Sequence, residues 1–294
     1  MLPELHPLDE RDLTPKLRDE VFKALGWGTG HPLRAPLTPL FTAACRRFAR
    51  LAVRFDRNVA KHGFRKAARR LLPHFVREVH VGGAEQVPAE GPLLVVSNHP
   101  GTIDGLAIAG YLHRPDLKIV VSGVPFIRHL RATANHLIYS SLDTVERMMV
   151  VRSAIRHLEE GGAVLLFPSG GIDPDPAVMP GALESVETWS PSLEVILRRV
   201  PSARVLITFV SGVLHPAWAH SPVTHLRRGR RNQQRVAEFF QVIQQMLFPG
   251  RLLVSPSVCF ARPLQFAPRR ETPILPALIA AAREHFETSQ GELQ

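Results

Sequence analysis

Residues 93–104 read LLVVSNHPGTID, a run of apolar residues that passes into a polar turn and then into an apolar helical pattern. The branched apolar residues at the start of this stretch predict a buried strand. Pro100 and Gly101 predict a turn directly after the strand, and residues 103–112 predict a helix. A buried strand that leads at once into a helix is typical of parallel sheets. The stretch therefore indicates an α/β protein.

On both sides of this stretch, strand-like runs alternate with helical patterns. The predicted strands are Glu78–Val81, Pro92–Ser97, Lys118–Ser122, Ala163–Phe167, Arg204–Val210 and Ser257–Phe260. The predicted helices are Ile103–Leu112, Leu142–Glu160, Leu193–Arg199 and Gln233–Leu247. This alternation predicts an α/β fold with a single-layer, largely parallel sheet that is flanked by helices.

His99 and Asp104 are the chemistry-bearing residues of the opening stretch. His99 follows the carboxyl end of the predicted strand, where open α/β sheets bind their ligands. Asp104 falls in the first turn of the predicted helix, which favours a carboxylate. A turn between the two can bring the carboxylate to the imidazole, giving a general base and its orienting partner. The alternative is an aspartate at a helix start beside an incidental histidine.

The composition excludes several classes of protein. With 45% hydrophobic and 21% charged residues among 294, the chain is globular. Its two cysteines lack metal-binding spacing, which excludes a disulfide scaffold and a thiolate zinc site. No apolar run approaches the roughly 18–20 residues that span a bilayer, and no secretory signal is visible. The sequence has no Gly-x-Ser-x-Gly elbow, P-loop or dinucleotide-binding turn, which are the usual motifs of lipases, kinases and dehydrogenases.

The net charge of +10 is concentrated in one segment, because residues 41–80 hold eleven Lys and Arg against two acidic residues. Apolar residues recur there at helical spacing, at Phe41, Ala44, Phe48, Ala52, Phe55 and Val59. Residues 41–78 therefore predict a basic amphipathic helical segment that docks on an anionic membrane, with its aromatic residues among the headgroups. The alternative is that the apolar stripe packs on the protein's own core. No nucleic-acid motif accompanies the segment, so we expect no nucleic-acid partner.

The rest of the chain divides around this basic segment. Residues 1–40, which contain six prolines, predict a Pro-rich leader with one short helix near residues 15–25. Residues 79–294 carry the strand and helix alternation and predict the main domain.

Two further clusters are less specific. The first is formed by histidines at every fifth position, His215, His220 and His225, which only weakly suggest zinc because no carboxylate accompanies them. The second is the basic run 227–231, which could bind phosphates or an acidic carrier protein. The alternative is that it is an ordinary solvated start of a helix.

Five stretches carry a family resemblance, in the same order along the chain. Residues 97–104, Ser-Asn-His-Pro-Gly-Thr-Ile-Asp, resemble the first motif of the glycerolipid acyltransferases of the lysophosphatidic-acid acyltransferase type. Residues 118–127, which end in Val124-Pro125-Phe126-Ile127, resemble the second motif. Residues 165–171, Leu-Leu-Phe-Pro-Ser-Gly-Gly, resemble the third, Phe-Pro-Glu-Gly-Thr motif. The runs 204–210 and 257–264 resemble the fourth and closing strands.

This resemblance implies acyl transfer from acyl-CoA or acyl carrier protein to the hydroxyl of a lysophospholipid, glycerol phosphate or related lipid. His99 would take the hydroxyl proton and Asp104 would hold the ring. Backbone N–H groups near Gly170 and Gly171 would stabilise the oxyanion. The remaining substrate-binding residues that the resemblance implies are Asn98, Gly101, Thr102, Arg128, Arg147, Phe167, Pro168 and Ser169. No metal or cofactor is implied, and we expect a peripheral protein on the cytoplasmic face of the cell membrane.

The sequence departs from the family pattern at two places. Ser169 stands where the family has a glutamate, and the strand 137–141 ends in serines where the family has a phosphate-binding arginine. The candidate replacements are Arg128, Arg131, Arg147 and Arg152, of which Arg147 lies nearest in the sequence to the end of this strand. Since a hydroxyl cannot neutralise a phosphate dianion, we expect an acceptor other than plain lysophosphatidic acid. Asp173 and Asp175 are predicted to be turn residues of a Pro-rich loop.

These departures keep two other activities open. A protein of this fold that has lost turnover would only bind lipids. A thioesterase would use the same histidine to activate water.

Overall fold

The computed structural model describes residues 10–122, 125–140, 144–266 and 273–291. Its helices are α1 Glu10–Leu25, α2 Arg34–His62, α3 Phe64–Leu71, α4 Asp104–Tyr111, α5 Arg131–Ala134, α6 Thr144–Glu159, α7 Ala182–Val186, α8 Ser192–Arg199, α9 Pro216–Ala219, α10 Arg230–Leu247 and α11 Ile274–Gly291. Its strands are β1 His80–Gly82, β2 Leu93–Ser97, β3 Lys118–Ser122, β4 Leu137–Ser140, β5 Ala163–Leu166, β6 Arg204–Ser211, β7 Ser257–Phe260 and β8 Leu264–Gln265. The first nine residues of the predicted leader, Val124 of the second motif and Ser141 lie outside the described residues.

The strands form a sheet of the order β1-β7-β6-β2-β5-β3-β4, with β8 added beside β6. Strands β6, β2, β5, β3 and β4 run parallel to one another. Strands β7 and β8 run antiparallel to β6, and β1 follows the direction of β7. In the centre, Leu93 of β2 is paired with Ala163 of β5 and with Arg204 of β6. The predicted single-layer, largely parallel sheet is confirmed.

Successive residues of β2 contribute to two separate hydrophobic cores. Leu93 and Val95 face the core that is shared with α1–α4 and α10. Leu94 and Val96 face the core that is shared with α6, α8 and α11. All four side chains are fully buried, as expected for a parallel strand with helices on both faces. The helices therefore cover the sheet on both sides, as the alternation predicts.

The apolar stripe of α2 packs inward and not toward a membrane. Phe41 and Phe55 are buried, and the ring of Phe41 lies 5.4 Å from that of Phe22 and 5.9 Å from that of Trp27. The prediction that these aromatic residues lie among lipid headgroups is therefore wrong, and the alternative of core packing holds. Helix α2 also begins before the predicted boundary at residue 41, and α1, inside the predicted leader, packs on it.

The opposite side of α2 presents an exposed basic stripe, which comprises Arg46, Arg50, Arg54, Arg57 and Lys61. Spacings of three and four residues place these side chains on one helical face. Arg50 forms an ion pair with Glu10, with 2.9 Å between Nη2 and Oε1. Next to the stripe, Arg47 donates to the carbonyls of Met246 and Leu247 at the end of α10. Within the described ranges, no helix is long and apolar enough to cross a bilayer.

Candidate active site

His99 and Asp104 meet at the carboxyl end of the central strand β2. Pro100 and Gly101 turn the chain, α4 begins at Asp104, and Nδ1 of His99 lies 2.8 Å from Oδ2 of Asp104. The Asp104 carboxylate is 2% exposed and also accepts the backbone N–H groups of Gly101 and Gly105. The imidazole is 30% exposed. This geometry uses Nδ1 for the carboxylate and leaves Nε2 for a substrate proton.

Several carboxylates control the charge of His99. Burial by itself lowers the pKa of the imidazole, but Asp104, Glu238 and Asp173 together outweigh this effect and raise the pKa to about 9. The ring consequently holds a proton at neutral pH in the free site, and the neutral base forms as the pH rises through 9. The same carboxylates stabilise the imidazolium that forms when His99 takes a proton.

The third motif lies directly against this dyad. Strand β5 neighbours β2, so Phe167, which follows β5, arrives at the same edge of the sheet as His99. The two rings stack with their centroids 4.4 Å apart and their planes at 26°. Gly105 lies beside this stack, where a Cβ atom would be in ordinary van der Waals contact with Cζ of Phe167 at 3.6 Å. The buried Pro168 then turns the chain toward Ser169.

Asp173 holds the first and third motifs together. Its Oδ2 accepts the backbone N–H of His99 at 2.9 Å, and its own N–H donates to the carbonyl of His99 at 2.8 Å. Oγ of Ser169 lies 3.0 Å from the same Oδ2. Burial raises the pKa of the Asp173 carboxyl, which is fully enclosed. The prediction of a mere turn residue is therefore corrected, because Asp173 joins the His99 turn to the third-motif loop.

Asp175 ties the same loop to the end of β6. Its carboxylate accepts the backbone N–H groups of Gly212 and Leu214, each at 2.8 Å, and that of Ala177 at 3.0 Å. The side chain is fully buried, and burial raises its pKa. Here too the predicted turn residue makes long-range contacts. The only signal in the sequence was its proximity to the third motif, which is not specific.

Asn98 has a structural position in place of the predicted substrate contact. It is buried, its amide donates to the carbonyl of Val210, and its Oδ1 accepts the N–H of the same residue, both at 2.8 Å. With both polar groups occupied, Asn98 extends the pairing of β2 with β6. Gly101 and Thr102 lie in the turn between His99 and Asp104, and the exposed Thr102 donates to Glu238 at 2.9 Å.

The predicted oxyanion donors of the third motif are already engaged. The N–H of Gly170 donates to the carbonyl of Phe167 at 3.1 Å, and that of Gly171 faces Oγ of Ser169 at 3.5 Å. The hydroxyl of Ser169 also lies 3.0 Å from the carbonyl of Gly171. Ser169 therefore braces its own loop. The prediction that the N–H of Gly170 is available to an oxyanion is not supported by this geometry.

Arg128 and Arg147, two of the predicted replacement arginines, follow strands on the far side of β5 from β2. Arg128 follows β3, is exposed, and places its guanidinium 5.1 Å above the ring of Tyr139. Arg147 lies in the first turns of α6, after β4, and its side chain lies outside the described part of the chain. Both follow strands parallel to β2, so they belong to the same carboxyl edge of the sheet.

Arg231 is a cation next to the third motif that sequence reasoning did not place there. A Cβ atom on Gly171 would lie 3.0 Å from its Nη1, so the guanidinium sits against the loop. Its positive charge also acts on Asp173, whose pKa it lowers. The signal for this cation in the sequence was the basic run 227–231, which leads into α10.

His215, one of the histidines that weakly suggest zinc, accepts the N–H of Ala217. Among the described residues, no group of His, Cys, Asp and Glu side chains could hold a metal ion.

Comparisons with known proteins gave a family match and a similar solved structure. Residues 78–190, which contain the dyad and the third motif, match the family model described as Acyltransferase. One similar solved structure is the 1-acyl-sn-glycerophosphate (LPA) acyltransferase PlsC from Thermotoga maritima. It shares 14% identity over 94% of this chain and 97% of that chain, with a TM-score of 0.44. The comparison with curated proteins returns no match. The family model thus supports the resemblance seen in the sequence, over the residues 78–190 that hold His99 and Asp104.

Proposed function

We propose that this protein is an acyltransferase that moves a fatty acyl group from a thioester donor, acyl-CoA or acyl carrier protein, to the hydroxyl of a glycerolipid acceptor. The observation that carries the proposal is the His99–Asp104 pair, in which a buried carboxylate holds Nδ1 and leaves Nε2 for a hydroxyl. The pair lies in the segment that matches the acyltransferase family.

The residues support direct transfer without an acyl-enzyme. Nε2 of His99 removes the hydroxyl proton as the acceptor oxygen attacks the thioester carbonyl. The tetrahedral intermediate collapses with loss of the thiolate, which receives the proton from the imidazolium. Asp104 stabilises the imidazolium between these two steps. The products are the acylated lipid and the free thiol.

One assay separates transfer from the two other activities. Purified protein is incubated with acyl-CoA, with and without lysolipid, and thiol release is followed. Release that requires the acceptor supports transfer. Release without acceptor identifies a thioesterase, and binding of lipid without release identifies a non-catalytic lipid-binding protein.

The charges beside the third motif disfavour a phosphate dianion as the acceptor group. The hydroxyl of Ser169 is engaged by its own loop. The positive charges of Arg230 and Arg231 are partly offset by the buried Asp173. We therefore expect a lysophospholipid with a larger headgroup, or an uncharged lipid alcohol, to be preferred. Lysophosphatidic acid, other lysophospholipids and neutral alcohols are offered at equal concentration and the products compared. A preference for lysophosphatidic acid that Arg231→Ala, Arg128→Ala or Arg147→Ala abolishes would contradict this expectation.

Membrane binding is proposed for the exposed basic stripe of α2, on the cytoplasmic face of the cell membrane. The triple variant Arg46→Glu, Arg54→Glu and Arg57→Glu avoids Arg47 and Arg50, which hold α10 and Glu10. We expect it to sediment far less with anionic vesicles than the wild type, and added salt to reproduce part of the loss. The control, Arg152→Glu, Arg156→Glu and Arg199→Glu, makes the same charge change on the other face of the sheet. Equal binding by both variants would contradict the assignment.

A further inference from the structure

Helix α10 carries a buried polar stripe along the side that faces the catalytic loops. Its members recur at helical spacing and are Gln234, Glu238, Gln241 and Gln245, each less than one-tenth exposed. Gln234 donates to the carbonyls of Pro100 and Asp173, at 2.8 and 2.7 Å. Gln241 donates to the carbonyl of Val213 and accepts the N–H of His215. The glutamines thus bond main-chain groups of neighbouring loops.

Glu238 is the charged member of this stripe, and packing does not explain its charge. Its Oε2 accepts the hydroxyl of Thr102 at 2.9 Å, a bond that a glutamine oxygen would accept equally well. Its Oε1 is buried without a partner and faces Gly101, where a Cβ atom would lie 3.5 Å away. A buried carboxylate with an unpaired oxygen costs more than an amide. We therefore expect the negative charge of Glu238 to serve a purpose other than stabilising the fold.

The group on which it acts is His99. Thr102 and Gly101 lie in the turn between His99 and Asp104, so Glu238 borders the dyad from the side of α10. Together with Asp104, its charge raises the pKa of His99 to about 9, while burial raises the pKa of Glu238 itself to about 8, so Glu238 is charged in the pH range in which His99 loses its proton. The other groups around the imidazole are Asp104 from α4 and Asp173 from the third-motif loop. Arg231 faces Asp173 and Arg235 faces Glu238, both from α10.

We propose that Glu238 is a positioning residue for the dyad, which holds the turn through Thr102 and stabilises the imidazolium of His99 by its negative charge. This inference rests on the proposed role of His99 as general base. It assigns to α10, beyond the matched segment 78–190, a direct influence on the proton transfer.

The test is Glu238→Gln, which keeps the bond to Thr102 and removes the charge. NMR titration follows the His99 ring, whose signal is assigned by its loss in His99→Ala. We expect the pKa of His99 to fall by about one unit in the variant, since a nearby negative charge has been removed. The acidic limb of the kcat/KM profile should move to lower pH by the same amount. At the same time the limiting rate at high pH should fall several-fold, because the weaker base forms a less stable imidazolium.

Gln241→Met is the matched control, because it removes a buried polar group from the same helix without touching the turn. We expect it to lower the melting temperature and leave the pH profile in place. If the pKa of His99 is unchanged in Glu238→Gln, or if activity falls with an unmoved profile, Glu238 is only structural and the proposal is overturned. A shifted pKa in a protein that transfers no acyl group would preserve the electrostatic inference and reject the proposed function.

Discussion

Replacement of His99 by alanine is expected to lower kcat at least about 100-fold, because the proposed mechanism assigns to His99 the removal of the proton from the acceptor hydroxyl. The fold should survive the change. Asp104 keeps the N–H groups of Gly101 and Gly105 as donors, and the imidazole is partly exposed in the wild type. Steady-state acyl transfer and thermal unfolding, measured on the same preparation, check both expectations.

The matched control for this variant is His80→Ala, which removes an exposed imidazole on β1. It should transfer acyl groups at the wild-type rate. The rate of acyl transfer by Asp104→Asn should fall well below that of the wild type, because a neutral amide replaces the carboxylate that faces Nδ1 of His99. Near-normal turnover in soluble, folded His99→Ala protein would exclude general-base catalysis by this residue.

The largest loss of stability is expected for Asp175→Ala. Removal of its carboxylate leaves the N–H groups of Gly212, Leu214 and Ala177 without their acceptor. Buried donors without partners are costly, and we expect the free energy of unfolding to fall by about 3 kcal/mol. Denaturant unfolding followed by circular dichroism measures this difference.

Two further variants calibrate that measurement. Asp175→Asn can keep the bonds to Gly212 and Ala177 but turns a donor toward the N–H of Leu214. Its free energy of unfolding should therefore fall by less than that of Asp175→Ala. Asp19→Ala removes an exposed aspartate that is paired with Arg34, and should cost at most about 1 kcal/mol. An Asp175→Ala protein as stable as Asp19→Ala would show that the loop does not depend on this carboxylate.

The central unit β2–α4 was predictable because its signals are local. Four apolar residues, a Pro-Gly turn and an apolar helix occupy adjacent positions, and the His99–Asp104 pair spans only that turn. Phe167 could be placed beside His99 only through the family resemblance, since their contact depends on the pairing of β5 with β2.

The rest of the site is built from contacts between distant parts of the chain. Glu238 meets Thr102 across 136 residues, and Asp173 meets His99 across 74. A charge in a loop or on a helix shows no partner in a single sequence. The stripe of α2 illustrates a related limit, because its period defines one apolar face and leaves open whether lipid or protein covers it.

The packing of α2 on α10 also bears on how the chain emerges from the ribosome. Phe41 packs 6.5 Å, between ring centroids, from Phe240, which is synthesised about 200 residues later. At typical elongation speeds of about 5–20 residues per second, roughly 10–40 seconds separate the two. During this interval Phe22 and Trp27 can already cover part of the aromatic side of the nascent helix, but α10 cannot. The newborn protein is therefore expected to depend on chaperones at the stage when its first helices await their last partner.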